Sequence, residues 1–173
     1  MNRALIFVLF TSLLLSACSG KQAAQPAGQS PSPAGGGGGG QSLGAAAAKL
    51  TDACSLVPAD LSQKLVPGAS PPQSEQFPLR CTLSNGKSAL GISFDTGPAE
   101  PVKGAEFISG LAGGGYLERL DPVSQGDAYL TVILGNDSNG TNRNLHVEVA
   151  GHDGKDHKDD AIAVARDVLA HLK

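Results

Sequence analysis

The chain has 173 residues, a formal charge of −3, 40% apolar side chains, only 4% aromatic side chains and no tryptophan. No basic stretch is interleaved with aromatics, so the electrostatic footprint of a nucleic-acid-binding protein is missing, and the lack of Trp argues against a broad carbohydrate-stacking platform. Any core has to be built mainly from Leu, Val, Ile and Ala.

Arg3 supplies a positive n-region, and Ala4 to Leu15 (ALIFVLFTSLLL) forms an apolar h-region. The run is shorter than the roughly 20 apolar residues a membrane span needs and fits a secretion signal. Leu15-Ser16-Ala17-Cys18 resembles the bacterial lipobox: a branched apolar residue, two small residues, then the cysteine that becomes the new N-terminus. Small residues suit a peptidase pocket, and the thiol must reach a diacylglycerol donor at the membrane surface. Residues 1–17 are read as a lipoprotein signal peptide and Cys18 as the lipidation site. Each buried CH₂ contributes about 0.8 kcal/mol, so two or three acyl chains anchor the protein stably to membrane lipid. The expected location is extracytoplasmic, on the outer side of the cell membrane. Ser19 stands where some lipoproteins carry an inner-membrane-retaining Asp.

Residues 18–51 are rich in Gly, Pro, Ser, Gln and Ala, with Lys21 and Lys49 and no aromatic residue. Such a segment cannot bury enough apolar surface to offset backbone ordering, and is expected to be a disordered tether. A Gly-rich coil of about 30 residues has a mean reach of roughly 30 Å. Gly35 to Gly40 follow no strand and precede no Gly-Lys-Ser/Thr, so they read as spacer rather than phosphate loop.

Residues 52–173 remain for a single domain of ordinary size. With Cys18 taken by lipid, Cys54 and Cys81 are an even pair in an oxidising compartment and are expected to form a disulfide. After Cys54, SLVPADLSQKLV reads as a helix, with Pro58 at its first position, Asp60 in the first turn and Leu56 placed to staple against Leu61.

Asn85-Gly86 signals a two-residue hairpin turn. It would pair Ser84 with Lys87, Cys81 with Leu90 and Leu79 with Ile92, placing Leu79, Cys81, Leu83, Leu90, Ile92 and Phe94 on one face. VKGAEFISGLA reads as a weak helix stopped by Gly113, followed by a short strand around Tyr116 to Leu120 and a turn at Asp121-Pro122. Asn139-Gly140 would close a second hairpin, pairing Leu134 with Leu145, Val132 with Val147 and Leu130 with Val149. DDAIAVARDVLAHLK closes the chain as an amphipathic helix with Ile162, Ala165, Leu169 and Leu172 at helical spacing, acidic at its start and basic at its end. The expected fold is α+β: an antiparallel sheet of about five strands with helices packed on one face.

A lipobox, a low-complexity spacer, DACSLVPADL opening the domain, a second cysteine on an early strand, QGDAYLTV and a closing amphipathic helix resemble small actinobacterial secreted lipoproteins classed as a domain of unknown function. That resemblance implies a paired-cysteine α+β domain and brings no established reaction. The family often has a capping Thr before the Pro and a Trp shortly after the second cysteine. Here Val57, Thr82 and Leu83 occupy those places, implying a weaker cap and a smaller core contact. The layout is also loosely similar to PsbP-like folds, an analogy that licenses no function.

Catalytic patterns fail one by one. Ser84-Asn85-Gly86-Lys87 matches a Ser-x-x-Lys string but straddles a tight turn, and no Gly-x-Ser-x-Gly elbow occurs. His152, Asp153, Asp156 and His157 fit neither an EF-hand loop nor a zinc spacing and read as a solvated loop leading into the last helix. No enzyme, metal or cofactor is expected. The second hairpin, however, turns Tyr129, Thr131, Ile133, His146, Glu148 and Ala150 away from the helices, while the first shows the smaller Arg80, Thr82, Ser84, Ala89, Gly91, Ser93 and Asp95. Aromatic and apolar groups beside ionisable ones favour a contact surface. Tyr129, Thr131, Ile133, His146 and Glu148 are therefore the candidate binding residues. The expected role is a non-catalytic envelope module that binds an envelope protein or small ligand. The alternative is a carrier of a lipid or other apolar ligand, with Gly110 and Gly113 to Gly115 at the mouth of a cavity.

Overall fold

A computed structural model of the chain describes residues 42–118 and 126–172. The expected signal peptide and lipidated Cys18, most of the expected tether and the turn expected at Asp121-Pro122 lie outside the described residues.

Seven strands form one antiparallel sheet: β1 (Gln73–Gln76), β2 (Leu79–Ser84), β3 (Ser88–Thr96), β4 (Glu106–Ile108), β5 (Gly115–Glu118), β6 (Ala128–Asn136) and β7 (Asn142–Gly151). Their spatial order is β1-β2-β3-β7-β6-β5-β4, two meanders joined where β3 pairs with β7. The three central strands have 9 or 10 residues and the edges only 3 or 4, so the long apolar alternations sit where both neighbours can pair with them. β1 is polar and exposed along its length (QSEQ), so no apolar period marks it in the sequence. β4 replaces the helix expected in VKGAEFISGLA. Gly104 and Gly110 flank it at φ 95° and 79°, outside helical backbone, and its three residues pair with β5.

Both hairpins keep the expected faces but not the expected registers. In the first, Cys81 pairs with Ile92 and Ser84 with Ala89, because Asn85 organises a four-residue loop. Its side-chain oxygen accepts from the Lys87 and Ser88 amides at 2.9 and 2.8 Å. In the second, Val132 pairs with Leu145 and Leu130 with Val147. A bulge between Ile133 and Gly135, with Gly135 at φ 84°, then leads into a loop held by Asp137. Each pairing slips by two residues. A slip of two returns every side chain to the same face, whereas a slip of one would have turned the core outward.

The helices are α1 (Leu43–Ala47), α2 (Ala59–Leu65) and α3 (Lys158–His171), with a 3₁₀ turn at Ala53–Leu56. They share one continuous apolar core with Cys81, Leu83, Leu90, Ile92, Leu117, Leu130, Val132, Leu145, Val147 and Val149, on one face of the sheet. In α3 the buried stripe is Ala161, Val164, Ala165, Val168 and Leu169, with Leu172 just beyond and Ile162 at its flank. A buried Val or Leu contributes about 1.5–3 kcal/mol relative to exposure, so packing rather than propensity holds this helix.

α1 corrects the sequence expectation that the tether runs to residue 51. Ser42 accepts from the Ala45 amide and donates to the Asn136 carbonyl at 3.0 Å, and Ala47 is buried. The ordered fold therefore already includes residues 42–51. The stretch LGAAAAKL looks like linker because its small side chains offer little apolar area. Those same side chains let the backbone lie close on β6: a Cβ at Gly44 would collide with the Gly135 carbonyl oxygen. Cys54 and Cys81 form the expected disulfide, with Cα atoms 4.9 Å apart, tying the 3₁₀ turn to β2.

Candidate functional site

Strand pairing fixes what the sheet displays on its second face, the helix-free face, which carries no helix among the described residues. One row of paired residues crosses the entire sheet as Glu75, Arg80, Ser93, His146, Thr131, Tyr116 and Phe107. The next row runs through Gly91, Glu148, Tyr129 and Glu118. Both tyrosines of the chain thus lie on this face, together with Phe107. The candidate residues Tyr129, Thr131, His146 and Glu148 are brought together on adjacent central strands. Ile133 shares their face, but Gly113 lies against it and donates its amide to the Ile133 carbonyl at 3.0 Å, so the loop before β5 shields it.

His146 is the hub. Its Nδ1 is 3.0 Å from Thr131 Oγ1, and its ring stacks on Tyr129 with centroids 5.5 Å apart and planes at 23°. Its Nε2 lies 2.9 Å from Asp95 Oδ2, within ion-pair distance but off the line of a hydrogen bond, so among the described residues that buried nitrogen has no aligned partner. Asp95, His146 and Thr131 have the connectivity of a carboxylate–imidazole–hydroxyl relay. Thr131 is only 6% exposed, however, and its strand's amides are engaged in the ladders with β5 and β7. The Thr131 hydroxyl and the Tyr129 ring together fix the orientation of the imidazole.

Beside the hub, Arg80 donates to Glu148 at 3.2 Å, both side chains partly exposed. Arg80, Gly91, Ser93, Tyr129, His146 and Glu148 line a recess of about 100 Å³. Gly91 makes the room: a Cβ there would meet Glu148 at 3.6 Å and Arg80 at 3.8 Å, ordinary contact distances. Burial first, then the charges of Asp95, Glu118 and Glu148, push the Tyr129 phenol above its ordinary pKa, with Arg80 working the other way. Tyr129 therefore keeps its proton and remains a hydrogen-bond donor at neutral pH.

The aromatic extension of the site escaped the sequence pattern. The sequence pattern puts Phe107 in a helix and Tyr116 in a short strand without showing which face it takes. Phe107 and Tyr116 meet edge to face, with centroids 5.6 Å apart, and Phe107 is 60% exposed. The alternation Phe107-Ile108 against Tyr116-Leu117, with the second member of each pair buried, was the available signal.

The histidine–aspartate loop before α3 is a local brace. His157, 8% exposed, contacts Asp160 at 3.1 Å and Asp153 at 3.2 Å, whereas His152 is exposed. Hydrogen bonds from the Lys155 amide and ammonium push Asp153 down to about 2. Among the described residues, no three His, Cys, Asp or Glu side chains converge as a metal site. Gly113 and Gly115 close on β6 instead of lining an opening: a Cβ at Gly115 would stand 2.9 Å from the Thr131 carbonyl oxygen. Comparison with protein-family models, curated proteins and solved structures finds no match.

Proposed function

We propose that the chain is an extracytoplasmic lipoprotein, held on the outer side of the cell membrane through acylated Cys18, whose helix-free sheet face is a binding surface without chemistry of its own. The observation that carries the reading is the gathering of Tyr116, Tyr129 and Phe107 on that one face, beside Arg80, His146 and Glu148. A purely solvated sheet face has no need of them, and aromatic residues beside Arg typify contact surfaces. The lipobox Leu15-Ser16-Ala17-Cys18 supports the anchor. The likeness to small actinobacterial lipoproteins belongs to the same reading, as does the looser one to PsbP-like layouts, which supplies no activity.

Two measurements test it. A clickable fatty acid labels the wild-type protein, and Cys18→Ala abolishes the label and leaves the protein released or unprocessed; equal labelling of the variant removes the anchor. A photo-crosslinking residue placed at Tyr116 captures a partner or ligand in intact cells, whereas one at Ala170, exposed on α3, does not. Capture from Ala170 alone moves the surface to the helical side.

A further inference from the structure

We infer that the helix-free face seats an organic cation, an ammonium or guanidinium group, against Tyr129 between Glu148 and Glu118. The inference rests on the binding-face reading above and adds its ligand class.

The placement follows from register. Glu148, Tyr129 and Glu118 face one another on three successive strands, β7, β6 and β5. Neighbouring strands lie about 4.8 Å apart, so the backbone positions of Glu148 and Glu118 stand roughly 10 Å apart with Tyr129 between them. A cation above a tyrosine ring is attracted by the ring's quadrupole within about 6 Å of its centroid, and here it also meets a carboxylate on either side.

Charge complementarity points the same way. The strands direct Glu75, Asp95, Glu118 and Glu148 to this face, against Arg80 as their guanidinium. Arg80 reaches from β2 across Gly91 on β3 to pair with Glu148 on β7, so it approaches Glu148 from the side away from β5 and leaves the Tyr129–Glu118 side to a ligand. Burial first, then the charges of Asp95, Glu118 and Glu148, raise the Tyr129 phenol above its ordinary pKa while Arg80 lowers it, in keeping with the excess of carboxylates that the strand registers place on this face. Stacking on His146 fixes the Tyr129 ring, and the Gly91 recess gives a slender chain access beside it.

The absence of Trp makes the test direct, because tyrosine emission reports only Tyr116 and Tyr129, both on this face. The full acylated chain in neutral detergent is titrated with putrescine, trilysine and triglutamate. Trilysine or putrescine is expected to change the emission saturably and less so as salt rises; triglutamate is expected to leave it unchanged. Putrescine acting as well as trilysine identifies a small amine as the source, and trilysine alone identifies a basic polypeptide. By calorimetry, Glu118→Gln with Glu148→Gln weakens the cation about five- to tenfold. Tyr129→Phe retains binding and Tyr129→Leu loses it, while Asp159→Asn, exposed on α3, has no effect. Circular dichroism checks each fold, and if the double variant unfolds, the Phe–Leu pair decides. Binding of triglutamate, or indifference to every cation, overturns the cation assignment. Crosslinks from Tyr116 that persist in that case leave the binding face standing, and their loss removes both.

Discussion

Asp137 shows how much one side chain settles in this fold. Buried at the start of the β6–β7 loop, it accepts from the Asn139 and Thr141 amides at 2.8 and 3.0 Å and from two Arg143 nitrogens at 3.0 and 2.8 Å. The Arg143 hydrogen bonds first, then the Thr141 amide, hold its pKa below the ordinary 3.8. A carboxylate depressed in the folded state stabilises above its unfolded pKa, and that contribution is lost as pH falls through the lower folded value. Melting temperature should therefore drop as pH is lowered below about 4. Asp137→Asn should melt lower at neutral pH and show a shallower acid slope, with Asp153 and Asp160 supplying what remains. Equal slopes would show that the loop does not depend on the charge. Gly91 makes the opposite case. Ala fits there without displacing a neighbour, and Gly inside a strand costs roughly 0.5–1 kcal/mol relative to Ala. Gly91→Ala should raise stability by about 0.5 kcal/mol in denaturant unfolding while narrowing the recess and weakening whatever the face binds. A variant less stable than wild type would mean that the backbone at this position is strained.

The short elements test propensity against packing. Gly44 lies within α1, where Ala would normally stabilise by about 1 kcal/mol. Its hypothetical Cβ, 2.8 Å from the Asn136 carbonyl group as well as close to the Gly135 oxygen, requires α1 to lift off β6. Gly44→Ala should destabilise by about 1–3 kcal/mol, the range for overpacking. Stabilisation in chemical denaturation would mean that α1 contributes nothing to the fold. A truncation beginning at Asp52 should likewise melt lower than one beginning at Ser42. The disulfide acts at the same scale. It spans a sequence separation of 27, so Cys54→Ser should cost about 3–4 kcal/mol in the chain-entropy description. Unchanged denaturant midpoints with and without reductant would contradict that.

Among the described residues, the helices all pack on one face of the sheet, and side chains of mixed chemistry occupy the other. Two meanders meet at the β3–β7 ladder, and this union places Arg80 and Gly91 of the first half beside His146, Glu148 and Tyr129 of the second. Neither half holds the recess alone. Substituting Ser93, which pairs with His146 on the other meander, by Val should therefore impair binding about as much as a change on β6, with the circular-dichroism spectrum unchanged. A binding loss confined to variants of β5, β6 and β7 would place the surface wholly within the second meander.

The sequence by itself determined the faces. Period-two alternation separated Cys81, Leu83, Leu90, Ile92, Val132, Leu145 and Val147 from Arg80, Ser93, Tyr129, Thr131, His146 and Glu148, and that separation survived both register slips because each was of two residues. It also pointed to the Cys54–Cys81 bond, from the even pair of cysteines left once Cys18 is set aside. The strand registers were a tertiary outcome, since they depend on how Asn85 and Asp137 spend their side-chain oxygens, and an Asn-Gly pair does not encode that choice. The edge strands β1 and β4 form only because β2 and β5 offer open backbone for polar or short segments to pair with. For the same reason Phe107 and Tyr116 joined the site only once the sheet existed. Alternation tells which residues share a face, but only strand order tells which of them become neighbours.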